Sequence, residues 1–435
     1  MTRACGFLIV VLLVTTWGAL GHAQSPAARL DLADLYRAAE AADPRLRELP
    51  LLERQWMLRD ANVNVLRLPA LSLETQAQAQ SDAPAAPIAV DGRPLFSAPK
   101  TTVDALLRVE QRLFDPTLPA QAALLRAQLA EDQSRVRTAL YAVRQQVNEA
   151  FFAAAALEQR AGVLAASATE LDARLRETSA RVREGTALPA DAAAVEATLL
   201  QRRQEEDELR TNRRAALDRL AIIVGRAIDA DATIALPDLA AVTRDTRSRL
   251  PELRARPEFA QFARTRERLA RQRELTAAQT QPRIAAFGRV GYGRPGLNFI
   301  RDEFESYGVG GLRLQWNAWS WGATRRDQEA TTLQADIVGA EEAAFARSIV
   351  ESTRDDLATI ARLERALDTD RRIVELRIEV DRSARARMTE GVMTAADYLA
   401  RDTELLQARF AQAAHEVELA QARARLLTMV GVEVP

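Results

Sequence analysis

Two short stretches carry the residues best placed for chemistry. Glu184-Gly185-Thr186 is followed by Asp191, six residues past its glycine, and Glu390-Gly391-Val392 is followed by Asp397 at the same spacing. The two are offset by 206 residues, and the offset continues without a gap through Leu199-Leu200 and Leu405-Leu406 to Val224-Gly225 and Val430-Gly431. Glycine accepts the left-handed backbone that ends a helix. A carboxylate in the first turn of the returning helix is stabilised by the unpaired N–H groups and the dipole there. These stretches therefore read as two hairpin tips, each with an acid where its helix returns.

Other chemistry is sparse. Beyond the N-terminal segment the chain has one histidine, His415, and no cysteine, since Cys5 is the only one. A zinc site of common type needs more ligands than that, and His415 reads as a helix-surface or packing residue. There is no Gly-x-Ser-x-Gly elbow and no phosphate-cradling loop; Gly308-Val309-Gly310-Gly311 sits in a strand pattern. No catalytic, cofactor-binding or metal-ligating residues are expected, so the chain reads as a non-enzyme. A net charge of −1 argues against nucleic acid as a partner. Lys100 is the only lysine, so the basic residues are otherwise arginine.

The elements that position the tips follow from periodicity. Residues 1–23 read as a secretory signal: Arg3, an apolar core from Phe7 to Val14, and the small-residue site Gly21-His22-Ala23. No later run of about 18 apolar residues suggests a membrane-spanning helix. Aromatics make up only 5% of the chain, which suits long helices with alanine seams better than a bulky globular core. Val143, Val147, Ala150, Ala154, Leu157 and Ala161 step by four and three, and the pattern continues to Val182. A helix from about 118 to 183 would be roughly 100 Å long. Within the returning segment, Gln201–Arg214 is nearly all charged and reads as a solvated face. On the second return, Phe410, Ala413, Val417, Ala420, Ala424 and Leu427 keep the same spacing.

Four segments switch to alternation. They start at Leu71, Val103, Ile284 and Tyr307, each about ten residues long, the length of a membrane-crossing strand. Gly310-Gly311 suggests a bulge in the fourth. Helices around 31–66 and 251–280 precede the first strand of each pair and stop before Pro69 and Pro282. Like Pro44 and Pro257, these prolines are 213 residues apart. Arg226–Leu250, with Pro237, reads as an irregular linker. Two hairpins cannot close a barrel, so several chains must share one. A soluble periplasmic coiled-coil scaffold, with the strands as a cap, is the competing reading; an adaptor protein is another.

The order of signal, helix, strand pair, long helix, turn and return, then the same again, resembles the TolC-like outer-membrane efflux protein family. The likeness is carried by Arg256-Pro257-Glu258, Gln281-Pro282, Leu113-Phe114-Asp115, Trp319-Ser320-Trp321-Gly322 and the paired tip glycines. The resemblance implies a mainly α fold with a transmembrane β part and a two-fold internal repeat. Long α-helical hairpins would form a periplasmic α-barrel, continued by a shared 12-stranded outer-membrane β-barrel in a homotrimer. The first repeat would cover 24–228, with strands at about 68–80 and 102–113 and a hairpin at about 117–225 tipped at 185. The second would cover 229–435, with strands at about 283–293 and 306–316 and a hairpin at about 322–431 tipped at 391. The implied function is an outer-membrane exit duct of an efflux or type I secretion system. It would work without a cofactor, in outer-membrane lipid, against a periplasmic adaptor and an inner-membrane pump. Glu184, Gly185, Thr186, Glu390, Gly391 and Val392 would meet the adaptor. Asp191 and Asp397 would line the pore entrance. Family members often close that entrance with a Tyr and an Arg at the second tip; here Met388 and Met393 hold those positions, implying apolar closure. Tyr292, Phe299, Phe304, Tyr307 and Phe96 are the candidates for interfacial girdles.

Overall fold

The structure is a computed structural model that describes residues 29–85, 87–90, 93, 94, 96–249, 254–298 and 300–434. Residues 1–23, expected to be a signal segment, and Phe299 lie outside the described residues. The chain opens with a short strand β1 (Arg29–Leu30), helix α1 (Leu32–Ala42) and helix α2 (Glu48–Val65). The single helix expected over 31–66 is thus broken. Pro44 offers no N–H and holds Asp43 extended, and a 3-10 turn, Pro44–Arg47, carries the chain into α2.

Strand β2 (Ala70–Ala79) follows, then a small hairpin β3 (Ala89–Val90) and β4 (Arg93–Pro94), then β5 (Thr101–Phe114). Asp115 starts the first long helix, α3 (Thr117–Arg183), by accepting the Thr117 N–H at 3.0 Å. The return is α4 (Pro189–Val224). Residues 226–250, read as irregular, hold strand β6 (Thr233–Ile234), paired in parallel with β1, and a helix α5 (Ala240–Arg249). Helix α6 (Pro257–Ala278), strands β7 (Arg283–Arg294) and β8 (Glu305–Gln315), and helices α7 (Ala323–Thr389) and α8 (Ala395–Val430) complete the chain. Helices α3 and α7 both have 67 residues, and α4 and α8 both have 36.

The helices pack as two long hairpins, α3 on α4 and α7 on α8, with α3 also against α8 and α6 between α3 and α7. Seam residues Val143, Val147, Ala150, Ala154, Leu164, Ala168 and Leu171 are buried, with Leu157 and Ala161 half-buried. The main core gathers α1, α3, α4 and α8 around Phe151, Phe152, Leu220 and Leu427. A second apolar cluster sits at the tips around Leu171, Val195, Met388 and Leu399. Among the described residues, no helix is long and apolar enough to cross a membrane.

The sheet runs β2-β5-β7-β8, all antiparallel, with β2 and β8 as open edges. The bulge expected at Gly310-Gly311 is absent; Phe287↔Gly311 and Gly288↔Gly310 pair in regular register. Those glycines instead leave room for the Phe287 ring, which lies 3.1 Å from where a Cβ on Gly311 would be. The register shift falls between Arg112 and Phe114, where one extra residue turns Phe114 onto the face of Ile284.

Candidate functional site

Register decides what the sheet can do. Leu73 pairs with Leu107, Leu107 with Val290, Ala286 with Leu312, and Ile284 with Leu314, so the apolar members of all four strands share one face. The opposite face holds Glu74, Asp104, Arg108, Glu110, Arg289 and Arg313. Its charges are largely matched: Arg108 to Glu74 at 2.9 Å, Arg313 to Glu110 at 3.7 Å, and the Tyr307 hydroxyl to Asp104 at 3.0 Å. The apolar face is the bare one. Leu73 is 74% exposed, Val290 65% and Leu312 71%, while Leu106 on the polar face is buried. A water-soluble sheet has the reverse arrangement.

Aromatic residues mark the two ends of that sheet. Tyr292 lies on the apolar face and stacks on Phe304 at 5.5 Å. Tyr307, expected in the girdle, instead faces the polar side, because its odd position in β8 pairs with Gly291. At the other end Trp316, Trp319 and Trp321 are exposed, and Trp321 (φ 52) and Gly322 (φ 76) turn the chain into α7. Sequence reading used Trp319 and Trp321 only as a junction marker; for Trp316, the even-numbered continuation of Leu312 and Leu314 was the available signal.

The far ends of the hairpins lie side by side. At the first tip, the Gly185 N–H donates to Val182 O at 3.1 Å and the Thr186 N–H to Arg181 O at 2.9 Å. The second tip repeats this, with Gly391 to Met388 O at 3.2 Å and Val392 to Arg387 O at 2.9 Å. Both glycines have φ 75, and a Cβ on either would meet nothing within 4 Å. The left-handed backbone that closes such a cap is what calls for glycine here. Glu184, Gly185, Thr186, Glu390, Gly391 and Val392 are all exposed. Between the tips lies a cleft of about 390 Å³, lined among others by Leu188, Asp191, Met388 and Met393.

Asp191 reaches across this cleft. Its Oδ2 accepts the Leu188 N–H at 3.3 Å, and its Oδ1 accepts the Ala395 N–H of the second hairpin at 3.4 Å. Asp397 stays within its own turn: its N–H donates to Thr394 Oγ1 at 3.1 Å, and the Thr394 hydroxyl donates to Asp397 Oδ2 at 2.8 Å. Asp191 thus accepts backbone N–H groups at helix starts, whereas Thr394 is the N-cap of α8 and Asp397 braces its hydroxyl. Met388 is buried in the tip cluster and Met393 packs half-buried against it. His415 pairs through Nδ1 with Asp370 at 2.6 Å. No group of residues that could hold a metal occurs among the described residues.

Two arginines that the sequence did not single out add further links between the hairpins. Arg181 reaches the Met388 carbonyl, and Arg174 lies over the Tyr398 ring at 5.4 Å. Arg202 is buried, an exception to the solvated face read for Gln201–Arg214. A lone arginine inside a charged run carries no local sign that it points inward.

An amphipathic four-stranded sheet leading into two long hairpins is the fold of the TolC-like outer-membrane channels. Solved structures that share it include the outer membrane protein VceC from Vibrio cholerae, with a TM-score of 0.64 and 16% identity, covering 93% of this chain and 97% of that one. The CmeC outer membrane channel of Campylobacter jejuni matches with a TM-score of 0.62 and 13% identity over 92% and 85% of the two chains. The MtrE outer membrane channel of Neisseria gonorrhoeae, in its open state, gives 0.62 and 17% over 93% and 89%. No protein-family model and no curated protein matches the sequence.

Proposed function

We propose that this chain is the outer-membrane exit duct of a tripartite efflux or type I secretion system. The observation that carries the reading is the inverted sheet, whose apolar face is bare while its opposite face holds paired charges. In lipid such a sheet is stable only if its edges close. Three copies, joining β8 of one to β2 of the next, give a closed 12-stranded barrel with the polar face inward. The long hairpins then continue as a periplasmic α-barrel. Leu333, Ile337, Leu376 and Val380 of α7 are exposed apolar residues, which supports neighbouring chains packing there. Matching helix lengths and offsets support a two-fold internal repeat over 24–228 and 229–435.

The duct is a passive, non-enzymatic conduit. Its exposed tips, 184–186 and 390–392, dock a periplasmic adaptor that brings the inner-membrane pump. Asp191 and Asp397 line the entrance, and Met388 and Met393 close it by packing. Six carboxylates around one constriction raise the local cation concentration. The soluble-scaffold and adaptor readings leave the bare apolar sheet face without a role.

Membrane fractionation and mass measurement of the detergent-solubilised protein test the proposal. Outer-membrane recovery and the mass of three chains are expected. Release of all the protein by a salt wash of the periplasm overturns the duct, and a monomer with an intact barrel signature overturns the trimer.

A further inference from the structure

The seam between the two hairpins buries charge just above the tips. Helix α8 contributes Asp402, which is 3% exposed, and α7 contributes Asp381, 6% exposed. Four arginines surround them, and none of the four pairs with Asp402. Arg174 of α3 pairs with Glu177. Arg202 of α4 donates to Thr403 at 3.1 Å and lies 3.8 Å from Glu205. Arg385 of α7 pairs with Asp381 at 3.2 Å and sits beside the Tyr398 hydroxyl. Arg409 of α8 pairs with Glu170 of α3 at 3.6 Å. Asp402 makes no hydrogen bond or ion pair with any described residue. Its Oδ2 is buried without a partner, as are Asp381 Oδ1 and the Nε atoms of Arg174, Arg202 and Arg385.

We propose that this seam is a proton-operated latch: neutral Asp402 and Asp381 keep the hairpins packed, and charged ones drive them apart at the tips. A buried carboxylate without donors pays its full desolvation cost, and parting the hairpins returns it to water. Burial pushes the Asp402 carboxyl up to about 6; Asp381 and Glu170 add to the shift, while Arg202 and Arg409 oppose it. Asp381 is also raised by burial, against the opposing charges of Arg385, Arg174 and Arg409 and with Glu170 reinforcing. A carboxyl raised in the packed state favours packing at low pH and loses that contribution as pH rises through about 6. Between pH 7.5 and pH 5, the protonated share of such a group goes from about 3% to about 90%.

The latch lies within one chain, and only its effect on passage rests on the duct reading. The test places spin labels at E184C and E390C of the full-length, detergent-purified protein, diluted with unlabelled chains, and measures the distance between them. Cys5 is the only native cysteine. A short, narrow distribution is expected at pH 5 and a longer, broader one at pH 7.5, with a midpoint near pH 6. D402N should give the pH 5 distribution throughout. Identical distributions at both pH values overturn the latch, as does a folded D402N protein that keeps the full pH response. If D402N does not fold, the wild-type series and D381N decide: a wild-type midpoint near 6, shifted or flattened by D381N, supports the latch, and no shift overturns it. A protein recovered in the soluble periplasm would sink the duct while leaving this distance measurable.

Discussion

Arg181 donates from Nη1 to the carbonyl oxygen of Met388 at 3.0 Å, tying the last turn of α3 to the last turn of α7. The acceptor is backbone at a helix C-terminus, where the dipole favours a cation. The tie is therefore indifferent to which side chain stands at 388. Removing it with R181A loses one charge-assisted hydrogen bond at a half-buried site, about 1.4 kcal/mol. Roughly tenfold more spontaneous opening is expected in planar-bilayer recordings; an unchanged open probability would show that the tie does not hold the mouth.

Asp191→Asn with Asp397→Asn should reduce cation preference and weaken block by multivalent cations in single-channel recordings. Thr394 and the Leu188 and Ala395 N–H groups can still bond an amide oxygen, so folding should survive. Unchanged selectivity in a folded double mutant would leave these acids only their hydrogen bonds at the helix starts.

The two faces of β2 should respond oppositely to charge. Leu73→Arg puts a cation on the apolar face and costs about 2–4 kcal/mol at mid-membrane depth. Its neighbour Ser72 lies on the polar face, so Ser72→Arg should insert normally. The yield of assembled protein in outer-membrane fractions checks this. Equal yields would contradict the assigned faces.

The glycines at the helix ends should rank by surroundings. Gly185→Ala meets only the left-handed backbone penalty, about 1–2 kcal/mol, since no atom lies within 4 Å of its Cβ site. Gly431→Ala adds a clash with Arg256 N, 2.7 Å from that site. Thermal unfolding should show the larger loss for Gly431→Ala; the reverse order would refute the local geometry.

Burial holds the Tyr36 hydroxyl, which donates to Asn148, at a pKa pushed up to about 12. Stability from a raised group is complete below its unfolded value near 10 and is lost as pH rises through about 12. Two units correspond to about 2.7 kcal/mol. Tyr36→Phe should flatten the alkaline limb of the melting curve between pH 10 and 12. An unaltered limb would show that Tyr36 does not drive it.

Much of this architecture is written locally in the sequence. The four-and-three seam from Val143 onward, the alternation around Leu71 and Val290, and the tip glycines each follow from a period or a backbone requirement within a few residues. What escaped depends on distant partners. Asp402 and Arg202 lie in ordinary charged helix stretches, and nothing nearby marks them as buried against another hairpin. The register of Tyr307 turned on whether Gly310-Gly311 bulged, a question answered by the Phe287 ring on the adjacent strand. The break at Pro44 was legible in principle, because proline disfavours helical geometry in the residue before it.

The open edges β2 and β8 carry a consequence for biogenesis. A newly folded chain presents a bare apolar face and two unmatched strand edges to water, a combination prone to mispairing. The helical hairpins close through contacts near in sequence and should form early, whereas in the proposed shared barrel the sheet is completed only by encounter with other copies. Maturation should therefore depend on chain concentration and on shelter by periplasmic chaperones. A copy with one disabled edge could still join a neighbour and leave the ring unfinished, so a minority of such chains would poison the assembly of intact ones.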